Sequence, residues 1–266
     1  MDAIGTDHEN LFLTAALETP ERVLVALDFD GTLSDVVDDP DTAYVHPEAR
    51  RAVADLVGRI GHVAIITGRP VDQVRRLGRF DDEVLGRLVI LGQYGAERLD
   101  ATGRHVPEPP QAVRDAIAAL GPLADEFPGL FIEDKSHAVG VHTRRAAAGT
   151  LERVRDRVLE VAERFGLEVE PGKEVLELRT HRGTKGDALT ALVEETGATA
   201  VAMVGDDLGD VPAFDVVAEL QRRGRPGLVV VSGSDERPEL VARADVLCEG
   251  PAGVARWLDS VGVTTP

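Results

Sequence analysis

The sequence predicts an α/β protein built on a doubly wound parallel sheet, interrupted by a second, smaller α+β module. Three observations carry that expectation. Short, near-continuous apolar runs alternate with helical patterns, as in strands covered on both faces by helices. A proline-rich joint, "HVPEPPQ" (His105–Gln111), breaks the rhythm. Beyond the joint, strand-like runs follow one another too closely for crossover helices, which calls for antiparallel pairing.

Taken in order, Val23–Leu27 is an apolar run and reads as a buried strand. Pro47–Ile60 reads as an amphipathic helix, with Pro near its start and Gly61 just past its end. Strands follow at Val63–Ile66 and Leu88–Leu91. The inserted module reads as a helix (Gln111–Glu126), strands Leu130–Lys135 and Ala138–Thr143, a helix (Thr150–Phe165), and strands Leu167–Glu170 and Glu174–Arg179. That αββαββ order is expected to occupy 106–180, between core segments 1–105 and 181–266. The core then resumes with strands Ala200–Val204, Leu228–Val231 and Val246–Cys248, and "SGSDERPEL" (Ser232–Leu240) reads as a strand-to-helix turn.

With 266 residues, 43% of them hydrophobic and 29% charged, the chain can bury a large core. Its formal charge of −18 argues against nucleic acid or an anionic membrane as partner, since both demand a basic face. An anionic substrate would have to be met by deliberately placed cations or by a metal. The single cysteine, Cys248, excludes an internal disulfide and suits a reducing compartment. Acids at Asp2, Asp7 and Glu9 are unlike a signal peptide, and no apolar run reaches the roughly 18 residues of a membrane span. These features predict a soluble, cytoplasmic protein.

The chemistry concentrates at strand ends, where open parallel sheets bind ligands. "VLVALDFDGTLSD" (Val23–Asp35) drives an apolar strand into Asp28 and Asp30. Two carboxylates there repel by about 4 kcal/mol at about 4 Å and an effective dielectric near 20. Turn chemistry accounts for Asp30 with Gly31 but leaves Asp28 without a purpose. A divalent cation, which prefers carboxylate oxygens, accounts for both, and a carboxylate can also act as a nucleophile. "VAIITGR" (Val63–Arg69) is a second strand, ending in Thr67-Gly68. "RGTKGDAL" (Arg182–Leu189) puts Lys185 in the first turn of a helix that Thr184 or Gly183 could cap. That is the wrong end of the helix dipole for a cation, at a cost of about 0.3–1 kcal/mol, so a nearby anion is expected. "VAMVGDDLGD" (Val201–Asp210) is a further apolar strand ending in acids, Asp206, Asp207 and Asp210.

Asp28-Phe29-Asp30-Gly31-Thr32, Thr67, Lys185, and Gly205-Asp206-Asp207 with Asp210 together resemble, in order, the motifs of the haloacid dehalogenase (HAD) superfamily of phosphotransferases. The resemblance implies a Rossmann-like core with an inserted cap. It implies that Asp28 attacks phosphorus while Asp30 serves as general acid and then base, and that Thr67 and Lys185 hold the phosphoryl oxygens. Mg²⁺ would be bound by Asp28, Asp206 and the backbone carbonyl of Asp30, with Asp207 and Asp210 in support. Gly31, Thr32, Gly68 and Arg69 would line the substrate. These roles are physically coherent, because an anionic nucleophile meets a phosphate dianion only where cations offset the repulsion.

Within the superfamily, "GQYGAE" (Gly92–Glu97), "IEDKSHAVGVHTR" (Ile132–Arg144) and "EPGKEVLELR" (Glu170–Arg179) resemble the trehalose-phosphate phosphatases. That family implies hydrolysis of trehalose 6-phosphate to trehalose and inorganic phosphate, the last step of trehalose biosynthesis. It also implies a monomer, functionally paired with a trehalose-phosphate synthase. Substrate contacts would come from Gln93, Tyr94, Gly95 and Glu97, and in the cap from Lys135, His142, Arg144, Lys173 and Glu177. The cap residues also have plainer readings: His142 as a sheet-face residue, Glu177 as part of a solvated face, Lys173 as turn chemistry beside Gly172. Gly209 and Val211 stand where the family usually has Thr and Glu, and Tyr94 where it more often has His. A capped phosphatase for another ester (sucrose phosphate, glucosyl- or mannosyl-phosphoglycerate), a phosphosugar mutase and an inactive sugar-phosphate-binding module remain as alternatives. No nucleotide-binding loop and no zinc spacing is present.

Overall fold

The computed structural model describes residues 7–172, 174–180, 183–233 and 238–263. The chain divides into two compact units, Met1–His105 with Gly183–Pro266, and Val106–Arg182. The first segment runs through α1 (Asp7–Glu18), β1 (Val23–Leu27), α2 (Pro47–Leu56), β2 (His62–Ile66), α3 (Val71–Gly78), α4 (Asp82–Leu85), β3 (Leu88–Gly92), β4 (Glu97–Asp100) and β5 (Gly103–His105). The second unit holds α5 (Gln111–Glu126), β6 (Phe131–Asp134), β7 (Ala138–His142), α6 (Thr150–Phe165), β8 (Glu168–Gly172) and β9 (Val175–Arg179). The chain returns to the first unit with α7 (Lys185–Thr196), β10 (Ala200–Gly205), α8 (Val211–Arg222), β11 (Gly227–Ser232), α9 (Pro238–Val241), β12 (Val246–Cys248) and α10 (Gly250–Ser260).

The larger unit is built on a sheet ordered β12-β11-β10-β1-β2-β3-β4-β5 among the described residues. β12 through β3 are parallel, and β1 lies between β10 and β2. β1, β10 and β11 are buried at every residue and almost wholly apolar because both of their faces are covered. Leu24, Ala26, Ala64, Ile66, Val201, Met203, Val229 and Val231 pack with Leu189 and Leu192 of α7 and Phe214 and Val217 of α8. Elsewhere in this unit α2 packs on α10, and Phe12 of α1 stacks on Trp257 of α10 with ring centroids 6.3 Å apart. The architecture is the expected doubly wound α/β sheet. Its consequence for function is that the carboxyl ends of β1, β2 and β10 lie side by side.

The structure adds features the sequence pattern did not suggest. β4 and β5 form an antiparallel hairpin on β3. Its turn is held by Asp100 Oδ1, which accepts from Thr102 N and Thr102 Oγ1. The strands are short and polar, so they lack the apolar run that marked the others. The helix expected over Pro47–Ile60 ends at Leu56 as α-helix. Gly61 follows because a Cβ there would lie 2.2 Å from the Glu21 carbonyl oxygen.

The smaller unit is a β6-β7-β9-β8 antiparallel sheet with α5 and α6 on one face. Val139, Val141, Leu176 and Leu178 point to the helices and meet Val113, Leu120, Val154 and Val158. Among the described residues no helix is long and apolar enough to cross a membrane.

Candidate active site

β1 delivers Asp28 to the carboxyl edge of the larger unit's sheet, where its N–H donates to Val204 O of β10 at 2.9 Å. Its carboxylate is buried, 4% exposed. Lys185 opens α7, held there by a reciprocal cap in which Thr184 Oγ1 accepts from Asp187 N while Asp187 Oδ2 accepts from Thr184 N. The equally buried ammonium lies 2.7 Å from Asp28 Oδ1 and 2.7 Å from Asp210 Oδ1. The unfavourable dipole position is thereby outweighed by two carboxylates.

Asp210 is fully buried, and both of its oxygens are engaged. Oδ1 accepts from Lys185, and Oδ2 accepts from Asp206 N at 3.0 Å and Asp207 N at 3.1 Å. It therefore ties the β10 loop to α7, and Gly205 permits this because a Cβ there would lie 2.2 Å from Asp210 Cγ. Asp207 caps the following turn, accepting from Gly209 N. Gly209 and Val211 thus flank an aspartate whose hydrogen bonds come from Lys185 and the backbone.

Carboxylate oxygens of Asp28, Asp206 and Asp210 lie within 4.8 Å of one another. Burial pushes Asp28 well above the usual carboxylate range, against the pull of Lys185 and with further upward pressure from Asp210 and Asp206. Burial, then Asp210 and Asp207, push Asp206 up to about 7. Burial would lower Lys185, but the facing Asp28 and Asp210 hold it well above its ordinary value. Asp206 Oδ1 is buried with no hydrogen-bond partner among the described residues. Gly31, at φ +74°, makes room for this side chain, since a Cβ there would lie 2.1 Å from Asp206 Oδ2. Three carboxylates against one ammonium, with an unpartnered buried oxygen among them, is a donor set that suits a hard divalent cation. Asp28 and Asp206 can serve as its ligands, whereas the oxygens of Asp210 already have partners.

Thr67 follows β2, buried, with its N–H donating to Leu91 O and its Oγ1 accepting from Arg69 N at 3.1 Å. Arg69 grips Asp30 with two parallel bonds of 2.7 Å, Nε to Oδ2 and Nη2 to Oδ1, and lies over the Phe29 ring at 5.5 Å. The Gln93-Tyr94 turn is stitched to the Thr67-Gly68-Arg69 turn. Gln93 N donates to Arg69 O, Tyr94 N to Thr67 O, and Gln93 Nε2 to Gly68 O. These bonds hold Gln93 and Tyr94 at φ of 49° and 57°, a left-handed conformation costly for residues with a Cβ. Gly95 continues the turn at φ +98°, and a Cβ on Gly68 would lie 2.8 Å from Tyr94 Oη. Glu97 is buried, and its Oε2 accepts from Val71 N at the start of α3. Thr32 is fully buried, its Oγ1 without a partner among the described residues.

Within the smaller unit, Lys135 Nζ donates to Glu177 Oε2 at 2.6 Å, and His142 Nε2 lies 2.8 Å from Glu133 Oε2. Arg144 is exposed, with Nε 4.0 Å from Glu174 Oε2. Lys173 lies outside the described residues. Sequence reasoning passed over Glu133, although it shares a face with Lys135 two positions on. It also missed the Asp30–Arg69 pair and Ser232, whose Oγ donates to Gly31 O at 2.7 Å. The stretch that opens with Ser232 could look like a loop that touches substrate, but its pattern reads as a strand-to-helix turn.

Known proteins resemble this chain in sequence and in fold. A sequence model of the trehalose-phosphatase family matches residues 26–244. The trehalose-phosphate phosphatase of Mycobacterium tuberculosis is 34% identical over 251 residues, covering 88% of this chain and 60% of that protein. The chain therefore spans about 60% of the length of the curated relatives it matches. The C-terminal domain of C. albicans trehalose-6-phosphate phosphatase has the same fold at TM-score 0.75 and 20% identity, covering 98% of this chain and 99% of that one. A haloacid dehalogenase-like hydrolase from Bacteroides thetaiotaomicron matches at TM-score 0.62 and 17% identity, over 89% of this chain and 98% of that one. The core is thus a HAD-like fold, and the match over most of the sequence places the chain in a single family: it belongs to the trehalose-phosphatases.

Proposed function

We propose that the protein is a phosphatase that hydrolyses trehalose 6-phosphate to trehalose and inorganic phosphate through a phosphorylated Asp28, with Mg²⁺ as cofactor. The observation that carries this reading is the buried Asp28–Lys185–Asp210 arrangement beside Asp206, at the sheet edge where parallel α/β proteins bind ligands. Mg²⁺ would be held by Asp28, Asp206 and the Asp30 carbonyl, and when bound it supplies positive charge that offsets repulsion between carboxylate and phosphate.

The chain's own groups do the rest. Asp28 Oδ attacks phosphorus and becomes esterified as the sugar oxygen leaves. Asp30 donates the proton to that oxygen, then takes one from the water that cleaves the acyl phosphate. Before it can do so its carboxyl must come away from the two-pronged grip of Arg69, which the incoming phosphate is suited to attract. Lys185 and the Thr67 hydroxyl hold phosphoryl oxygens, and Thr32, Gly31 and Gly68 line the approach. Asp207 and Asp210 keep the β10 loop in place.

Further substrate contacts are proposed for Lys135, His142, Arg144, Lys173 and Glu177, and for Gln93, Tyr94, Gly95 and Glu97. The domain limits that go with this reading are 1–105, 106–180 and 181–266. The reading also implies a monomer acting in the cytoplasm after a trehalose-phosphate synthase, without nucleic acid or membrane as partner. The test is phosphate release from a panel of trehalose 6-phosphate, sucrose phosphate, glucosyl-phosphoglycerate and glucose 6-phosphate with Mg²⁺. A clear preference for trehalose 6-phosphate supports the proposal, and preference for another ester overturns the substrate assignment.

A further inference from the structure

The turn that follows β1 is held mostly by its own backbone. Leu33 N and Ser34 N both donate to Phe29 O at 2.9 Å, and Gly31 N donates to Ser34 O at 2.8 Å. One further bond reaches the turn from two strands away. Ser232, the last residue of β11, is 1% exposed, and its Oγ donates to Gly31 O at 2.7 Å. β10 lies between β11 and β1 in the sheet, so this bond crosses the end of the strand from which Asp206 directly follows.

A buried serine at a strand end can simply satisfy its hydroxyl on a nearby carbonyl. The position of this acceptor argues for more. Gly31 stands at φ +74°, and a Cβ on it would lie 2.1 Å from Asp206 Oδ2 and 2.3 Å from Asp206 Cγ. Its Cα is therefore a wall of the space that the carboxylate occupies. Glycine has little conformational preference of its own, so its φ and ψ are set by what holds the planar peptide groups on either side. The preceding group, which carries the Asp30 carbonyl, is held by Gly31 N on Ser34 O. The following group, which carries the Gly31 carbonyl, is held by Ser232. Without that second hold the chain can rotate about Gly31, which shifts both the Asp30 carbonyl and the contact with Asp206. Those are two of the three groups to which Mg²⁺ is assigned above.

We propose that Ser232 is a positioning residue for the divalent cation. Through the Gly31 carbonyl it fixes the Asp30 carbonyl and the Asp206 carboxylate, and so sets the affinity for Mg²⁺. This rests on the metal-assisted phosphatase reading above and deepens it. The test is titration calorimetry of Mg²⁺ into wild type, Ser232→Ala and Ser232→Thr, with thermal midpoints taken in chelator and phosphate release from trehalose 6-phosphate followed over a range of Mg²⁺. Ser232→Ala is expected to weaken Mg²⁺ binding about 3- to 10-fold, the contribution of one hydrogen bond. The Mg²⁺ concentration for half-maximal turnover should rise in step, with KM for the ester at saturating Mg²⁺ unchanged. Ser232→Thr, which keeps the hydroxyl, should bind Mg²⁺ as wild type does. A lowered thermal midpoint in chelator with an unchanged Mg²⁺ dissociation constant overturns the positioning role alone, as does a Ser232→Thr variant weakened as much as Ser232→Ala. A wild-type protein that takes up no Mg²⁺ overturns the metal-assisted reading, and the role of Ser232 with it.

Discussion

Lys185 Nζ lies 2.7 Å from Asp28 Oδ1, and both groups are buried. Without that ammonium, Asp28, Asp206 and Asp210 would face one another uncompensated. Removing one partner of a buried charge pair costs about 3–5 kcal/mol. Lys185→Met is therefore expected to lower the thermal midpoint measurably and abolish turnover, and added Mg²⁺ to restore part of the stability. Calorimetry with and without the ion checks this.

Gly31 is where the main chain and Asp206 come closest. A methyl group at a φ of +74° and 2.1 Å from Asp206 Oδ2 must displace that carboxylate. Gly31→Ala should weaken divalent-ion binding at least tenfold and depress turnover to match, while far-UV circular dichroism remains that of the native fold. Titration calorimetry of Mg²⁺ into the variant reads the first effect.

Because Asp206 is pushed up to about 7, it binds a proton more tightly in the folded protein than in the unfolded chain. Its stability contribution in the metal-free protein is therefore present at low pH. It declines as pH rises from the unfolded carboxylate value of about 3.9 towards 7. Saturating Mg²⁺ should abolish that decline, and apparent Mg²⁺ affinity should weaken as pH falls below 7 because proton and cation compete. Thermal midpoints from pH 5 to 8, with chelator and with Mg²⁺, measure both.

Arg98 joins Asp100 of the β4–β5 hairpin to Glu195 of α7. Such a partly exposed network contributes about 1 kcal/mol or less. Arg98→Ala should cost about that much by urea unfolding and leave turnover within about twofold, which separates scaffold from site.

Apolar runs made the strands of the central sheet legible, and the acids that end β1 and β10 marked its carboxyl edge. The αββαββ order of the inserted unit was legible for the same reason: its strands alternate and its helices bury one stripe. The β4–β5 hairpin was not, since Glu97–Asp100 and Gly103–His105 are short and polar and carry no apolar run. Nor could local pattern show that Asp30 meets Arg69, 39 residues on, or that Asp210 spends its oxygens on Lys185 and two backbone amides. Those pairings arise only when separate strand ends are brought side by side. Glu133 was hidden because a charged residue on a short strand reads as solvent-facing until register sets it beside His142 and Lys135.

In the proposed reaction Asp28 carries the phosphoryl group. Rapid quenching during turnover of trehalose 6-phosphate, followed by borohydride reduction and peptide mass spectrometry, tests it directly. Residue 28 should be recovered as homoserine, the reduction product of an acyl phosphate, and only when substrate is present. Recovery of unmodified Asp28 from enzyme that is actively turning over, or reduction at another carboxylate, would contradict it.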